Sequence, residues 1–355
     1  MRRARLWVCI GLFWGVTAAA QTQTLRALEN TIYDTLASPP EQYKAVERIG
    51  AFKNPEALRI LEELLLFRWE TPGDMPAAPQ RADRDRQRRL RQSKQSLARI
   101  RAKAAEALGL IGDDRSMPVL LTVIRHEIDP VVREFTLKAL LRFTDLTLAG
   151  MFESVALEDP TPSNRILGIS GMSLYSQRIN GGSARRVLAD PNTLVRLTAV
   201  KLFGATGRVD LMALILPSGY DADRSVRRRV ADILGAYNTP DAGRVLTVLA
   251  HDEDHGIICS AVTGLGLNAQ IPSAEYLDLV RSPIREAGVI ILRSIARRWM
   301  EVTPAALDAA VRGRLVPGLE LLAGQTRQKI ELRRRMFQSE TELEKIKYYL
   351  TEKGR

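Results

Sequence analysis

With only three histidines and two cysteines in 355 residues, the chain has little material for metal or thiol chemistry. Cys9 lies in the extreme N-terminal segment. Removal of that segment leaves Cys259 alone and rules out an internal disulfide. Cys259 sits among Ile257, Ile258 and Ala261, which points to a buried, inert thiol. Aromatic residues make up 6% and are scattered. After residue 20 no apolar run approaches the roughly 18 residues that a membrane-spanning helix needs. The chain contains no His-Glu-x-x-His, no glycine-rich phosphate loop ending in Lys-Ser/Thr and no Gly-x-Ser-x-Gly elbow. Nothing in its motifs argues for an enzyme, and no cofactor is expected.

The first 20 residues have the layout of an export leader. Arg2, Arg3 and Arg5 form a basic start, Leu6 to Val16 is apolar, and Ala18-Ala19-Ala20 offers small residues for cleavage before Gln21. The expectation is an exported protein, periplasmic or otherwise extracytoplasmic. Tethering by an uncleaved N-terminal anchor is the alternative.

What the chain does have is a repeat. An anchor, usually Arg, is followed by a small residue three positions on, a large apolar residue at seven and often Gly at eight. The copies run Arg101, Ala104, Leu108, Gly109; Arg133, Thr136, Leu140; Arg165, Gly168, Met172; Arg196, Ala199, Phe203, Gly204; and Arg227, Val230, Leu234, Gly235. Looser copies start at Ile258 and at Arg285, and a degenerate early copy starts at Gln42 with Ala45, Ile49 and Gly50. From Arg101 to Arg285 the anchors are spaced 32, 32, 31, 31, 31 and 27 residues apart. Positions three and seven share one helix face, and a fixed period of this size marks stacked helical hairpins. Asp-Pro or Asp precedes many anchors (Asp129, Asp159, Asp190, Asp221 and Asp252), and these carboxylates are expected to accept from free amides at the helix starts. The predicted fold is an all-α solenoid of about eight stacked hairpins. The expected layout is a leader at 1–20, a cap and first degenerate repeat at 21–66, an insert at 67–96, the solenoid at 97–316 and a long charged C-terminal helix at 317–355.

The insert is the compositional outlier. Trp69 to Pro79 is rich in proline, which predicts a loop. Arg81 to Lys103 holds ten basic residues against Asp83 and Asp85, a net of +8. Without Arg2, Arg3 and Arg5 the formal +11 of the chain also falls to +8, so everything else sums to zero. The segment reads either as a solvated excursion or as a docking arm for an anionic partner, with Arg84, Arg86, Arg88, Arg89 and Arg91 as contacts. No aromatic residue lies in it for bases to stack on, which argues against nucleic acid. Near the C-terminus, Leu343, Ile346 and Leu350 are spaced three then four, an apolar seam that suits either an end cap or a coiled coil.

The motif Asp190-Pro191, Val195-Arg196, Ala199, Phe203-Gly204, with its neighbour Val226-Arg227, Val230, Leu234-Gly235, resembles the HEAT repeat. The short period is similar to the HEAT-like repeats of phycobilisome lyases. The resemblance implies that Arg101, Arg133, Arg165, Arg196 and Arg227, with Asp190 and Asp221, form a ladder between neighbouring hairpins. It also implies a protein or peptide partner on a concave face. The expected function is therefore a non-catalytic interaction scaffold. A protein that associates with polyanions or membrane surfaces through Arg81–Lys103 is one alternative, and a lyase-like enzyme or accessory factor is another. His251 and His255, in the run His251-Asp252-Glu253-Asp254-His255, are the one local set of metal-ligand types. They would share a helix face only if the run were helical, whereas the repeat places a turn there.

Overall fold

A computed structural model describes residues 20–34, 37–67, 80–268, 271–297, 302–312 and 315–353, with the side chains of 80–95, 273 and 345–353 outside the description. The leader reading therefore concerns residues of which 1–19 lie outside the described set, as do residues 69–79, over which the loop was expected. The fold is an all-α solenoid, and no strand occurs among the described residues. The chain divides into two compact units, Met1–Ile179 and Asn180–Arg355.

In the first unit a helix over residues 20–33 (α1) precedes α2 (Pro39–Gly50), α3 (Pro55–Leu66), α4 (Gln80–Ile111), α5 (Met117–His126), α6 (Pro130–Leu140), α7 (Leu148–Glu158) and α8 (Pro162–Leu174). Local chemistry starts these helices. The backbone N–H of Ser38 donates to Glu41 at 2.8 Å, and the Asn54 side chain accepts from Ala57 N–H at 2.8 Å. Pro39, Pro55 and Pro130 take first-turn positions, where no amide is needed. The helices that carry the anchors pack in series, α2 on α4 and α4 on α6, while α3, α5 and α7 back them. The basic segment is no separate excursion in its backbone, because it forms the first part of the 32-residue α4 and runs straight into the first strong repeat.

The second unit contains α9 (Gly181–Leu188), α10 (Thr193–Gly204), α11 (Val209–Ile215), α12 (Arg224–Leu234), α13 (Pro240–Leu249), α14 (His255–Leu267), α15 (Ser273–Asp278), α16 (Arg285–Ile295), α17 (Pro304–Val311) and α18 (Glu320–Lys353). Here α10, α12, α14 and α16 pack in series, and the start of α18 lies on α16 and α17. Leu319, Ala323, Thr326 and Ile330 of that final segment are buried, so it covers a seam that would otherwise face water.

The glycines at position eight set the spacing between anchor helices. A Cβ on Gly109 would lie 2.6 Å from Ala139 Cα, and one on Gly235 would lie 3.0 Å from Gly264 Cα. Each of these neighbours stands six residues after the next anchor, and so does Ala107, which faces Gly50. The same rule corrects the last copy. Gly266 faces Ser294, and α16 begins at Arg285, so the anchor position there is Gly288 rather than Arg285. The final interval is then 30 residues, in line with the rest, and the apparent 27 came from the nearest arginine in the sequence.

Candidate functional site

The anchors and the aspartates meet where each anchor helix begins. Arg196 Nη1 donates to the carbonyls of Asp190 (2.9 Å) and Pro191 (3.3 Å) in its own entering loop. Its Nε and Nη2 reach forward to the Asp221 carboxylate at 2.7 and 2.8 Å. Arg227 repeats this one period later, holding the carbonyls of Asp221 and Ala222 behind and Asp252 ahead at 2.7 Å. In the first unit Arg133 holds Asp159 (2.8 Å) and the carbonyls of Ile124 and Glu127, and Arg101 pairs with Glu127 and the Leu65 carbonyl. Arg165 donates to the carbonyls of Asp159 and Pro160. The Asp190 carboxylate accepts from Asn192 N–H at 2.8 Å. The planar guanidinium serves both sides at once because its donors point along several fixed directions.

The aspartates act differently from the helix caps expected of them, except for Asp129, which does cap α6. Asp159, Asp190, Asp221 and Asp252 each stand two residues before the capping residue and accept its N–H. The caps themselves are Thr161, Asn192, Asp223 and Asp254. Asp159, Asp221 and Asp252 thus each fold their own loop and hold the arginine of the preceding repeat. Burial pushes the Asp221 carboxyl up, but the Arg196 fork and the Asp223 amide outweigh it, so it lies below the usual carboxylate range. Glu127 behaves alike: burial is opposed first by the Asp129 amide and then by Arg101, and the net direction is down. Arg227 holds Asp252 down, against burial.

A second link between repeats lies ten residues after the anchor, a position that the sequence pattern had not singled out. Tyr175 Oη donates to the Phe143 carbonyl (3.2 Å), and Tyr237 Oη donates to the Gly204 carbonyl (3.1 Å). Asn268 Nδ2 donates to the Thr239 carbonyl at 3.0 Å. Tyrosine and asparagine share a donor but neither size nor hydropathy, so a search for like residues passes over them.

Beside the first unit's rungs run two grooves that share Glu127. The larger, about 720 Å³, lies between α5 and α7 and is edged by Leu121, Arg125, Ile128, Met151 and Glu158. The smaller, about 430 Å³, includes Leu66, Thr122 and His126. Ile128 is 92% exposed, and Leu66 and Phe67 at the end of α3 are exposed too. Arg125 is exposed. The rung residues Glu127, Arg133 and Asp159 also border the larger groove, with their polar groups committed to one another and to the backbone.

The other sequence candidates do not come together. His251 lies in a turn with Nδ1 2.9 Å from the Thr247 carbonyl, and His255 is the first residue of α14. No group of three or more metal-ligating side chains occurs among the described residues. Cys259 is half-buried, and burial, with Glu286 adding to it, pushes its thiol up. The side chains of Arg84, Arg86, Arg88, Arg89 and Arg91 lie outside the described residues.

Two stretches match family models: residues 184–266 match HEAT repeats, and residues 100–126 match the PBS lyase HEAT-like repeat. No curated protein matches the sequence. Among solved structures, human deoxyhypusine hydroxylase in complex with glycerol aligns at 16% identity over 79% of this chain and 98% of that one, with a TM-score of 0.34. YibA of E. coli aligns at 14% identity over 73% of this chain and 99% of its own, with a TM-score of 0.46. The complex of CpcE and CpcF of phycocyanin lyase from Nostoc sp. PCC7120 aligns at 17% identity over 85% and 94%, with a TM-score of 0.29.

Proposed function

We propose that the protein is an exported, non-catalytic scaffold that holds an extended segment of another protein in the paired grooves of its first unit. The supporting observation is that exposed apolar side chains, Leu66 in the smaller groove and Ile128 in the larger, border grooves whose buried charges already serve the fold. An apolar side chain this exposed gains by being covered, by about 1.5–3 kcal/mol when burial is complete. Arg125 at the rim suits an acidic residue of the same segment. HEAT repeats in the chain fit this role, since stacked hairpins expose long surfaces rather than one enclosed cavity.

A photo-crosslinking amino acid placed at Ile128 and, separately, at Leu66 tests the reading in cells. The expected result is one and the same protein captured from both positions, with Ile128→Glu at the first site abolishing capture from the second. Different catches from the two sites, or capture unaffected by Ile128→Glu, overturn the groove reading. Export is tested by fractionation and N-terminal sequencing. A mature chain starting at Gln21 outside the cytoplasm is expected, and an intact N-terminus in the cytoplasm overturns it.

A contact to an anionic surface through α4 is a second reading, and the structure narrows its inventory. Of the ten basic residues in Arg81–Lys103, Arg101 is paired with Glu127, and Lys103 reaches Glu47 and Glu106. Arg99, in the same helix, is exposed. Binding of anionic vesicles that falls steeply with salt, and is lost when 78–95 is deleted, supports this contact. Salt-independent binding overturns it.

A further inference from the structure

The far part of α18 has a face that the body does not cover. The body-facing line of the helix is Leu319, Ala323, Thr326 and Ile330, buried to 2%, 7%, 2% and 0% exposure. It ends where Arg333 Nη1 donates to the Ala296 carbonyl at 2.7 Å. A second line, 332, 336, 339, 343, runs one residue out of step with the first, about 100° around the helix. Leu332, Met336 and Leu343 on it are 59%, 54% and 56% exposed. Its spacing of four, three and four residues is the a/d repeat of a coiled coil. In the sequence the same spacing continues to Ile346 and Leu350, whose side chains lie outside the described residues.

We infer that this face pairs with the same face of a second copy of the chain, as a parallel, in-register two-stranded coiled coil. The charges flanking the seam select the occupant and its direction. In a parallel pair, a residue just before an a position faces the residue five further on in the other helix, which follows a d position. Arg335 then faces Glu340 of the second copy, and two-fold symmetry makes the contact twice. By the same count Glu342 faces position 347, where the sequence has Lys347. An antiparallel pair using the whole seam sets Met336 against Ile346. That arrangement brings Glu340 against Glu340 and Glu342 against Glu342, like charges on both flanks. Opposite charges in one direction and like charges in the other give the pairing its polarity. Ser339, within the seam, weakens the pair, so the copies exchange rather than lock.

Sedimentation of the purified full chain across a concentration series is expected to show mass rising from one copy to two. Met336→Glu with Leu343→Glu should weaken association at least about tenfold. Both residues are solvent-exposed, so the monomer should fold unchanged. The direction is read from charge reversal. Arg335→Glu alone should weaken the pair, and adding Glu340→Arg should restore it. A single-copy mass at every concentration overturns the inference. So does a double reversal that fails to restore association, or a seam that binds a foreign helix while the copies remain single.

Discussion

Within the second unit, the junctions at Arg196 and Arg227 and the junction after α14 join the same kind of helices by different means. At the first two, a guanidinium ties its own loop to the next carboxylate. At the third, Ile258 occupies the anchor position and has nothing to donate. The position where the next aspartate would stand holds Ser282, whose hydroxyl accepts from Ile284 N–H at 3.4 Å. Both partners of that rung are missing together, so neither a buried guanidinium nor a buried carboxylate is left alone. The contact that persists is the close approach of Gly266 to Ser294, between α14 and α16. The rung is therefore one of several fastenings. Removing it as a pair is tolerable, and removing half of it is not, because a lone buried charge carries the full desolvation penalty.

The sharpest way to break the comparison is to make half a rung. Asp221→Ala leaves Arg196 with only its own carbonyls and deprives the Asp223 amide of its acceptor. The Asp221 side chain is 9% exposed and that of Arg196 is 16% exposed, so water replaces little of what is lost. Urea unfolding should show a loss of about 3–5 kcal/mol. The matched change in the rungless junction, Ser282→Ala, should stay within about 0.5 kcal/mol. Equal effects at the two sites would mean that the carboxylate contributes only its turn.

The next effect falls on the junction that lacks a rung. A Cβ at Gly266 would meet Ser294 Oγ at 2.6 Å and Tyr276 Oη at 2.9 Å. Tyr276 is fully buried, and its Oη donates to the Val262 carbonyl at 3.3 Å, so it has little room to move. Gly266→Ala should destabilise by about 1–3 kcal/mol. It should also raise hydrogen exchange in α14 and α16 before α10. A protein as stable as wild type after this change would show that the helices there slide freely.

The repeat was legible because its rung, seam and glycine residues recur at one period, and the same residue pattern, though 59 residues before Arg101, marked the degenerate copy at Gln42, whose Nε2 donates to the Ile32 and Asp34 carbonyls. Its misreadings came from places where identity and position part company. Arg285 looked like an anchor because it is an arginine, yet α16 begins on it and Gly288 takes the place. The aspartates looked like helix caps, but the true caps two residues later are Thr161, Asn192, Asp223 and Asp254, a mixture that shows no single recurring letter. The grooves were not legible at all. They depend on Ile128 standing clear of its neighbours, and one exposed isoleucine in a sequence looks the same as a buried one.

The smallest effect comes from importing the rungless solution whole. Arg196→Ile with Asp221→Ser copies the Ile258 and Ser282 pair into the Arg196 junction. Because no charge is stranded, the double change should cost about 1 kcal/mol at neutral pH, well below the sum of the single changes. Acid supplies the finer test. The Asp221 carboxyl is held down in the folded chain, so its contribution is complete above the unfolded value of about 3.9 and is lost as pH falls through the lower folded value. The double variant has no such contribution to lose. The stability gap between wild type and variant should therefore be constant above about pH 5 and close as pH falls below about 4. A gap that stays the same into acid would mean that the rung acts through the shape of its side chains, and that the Ile258 junction differs from its neighbours in packing rather than in charge.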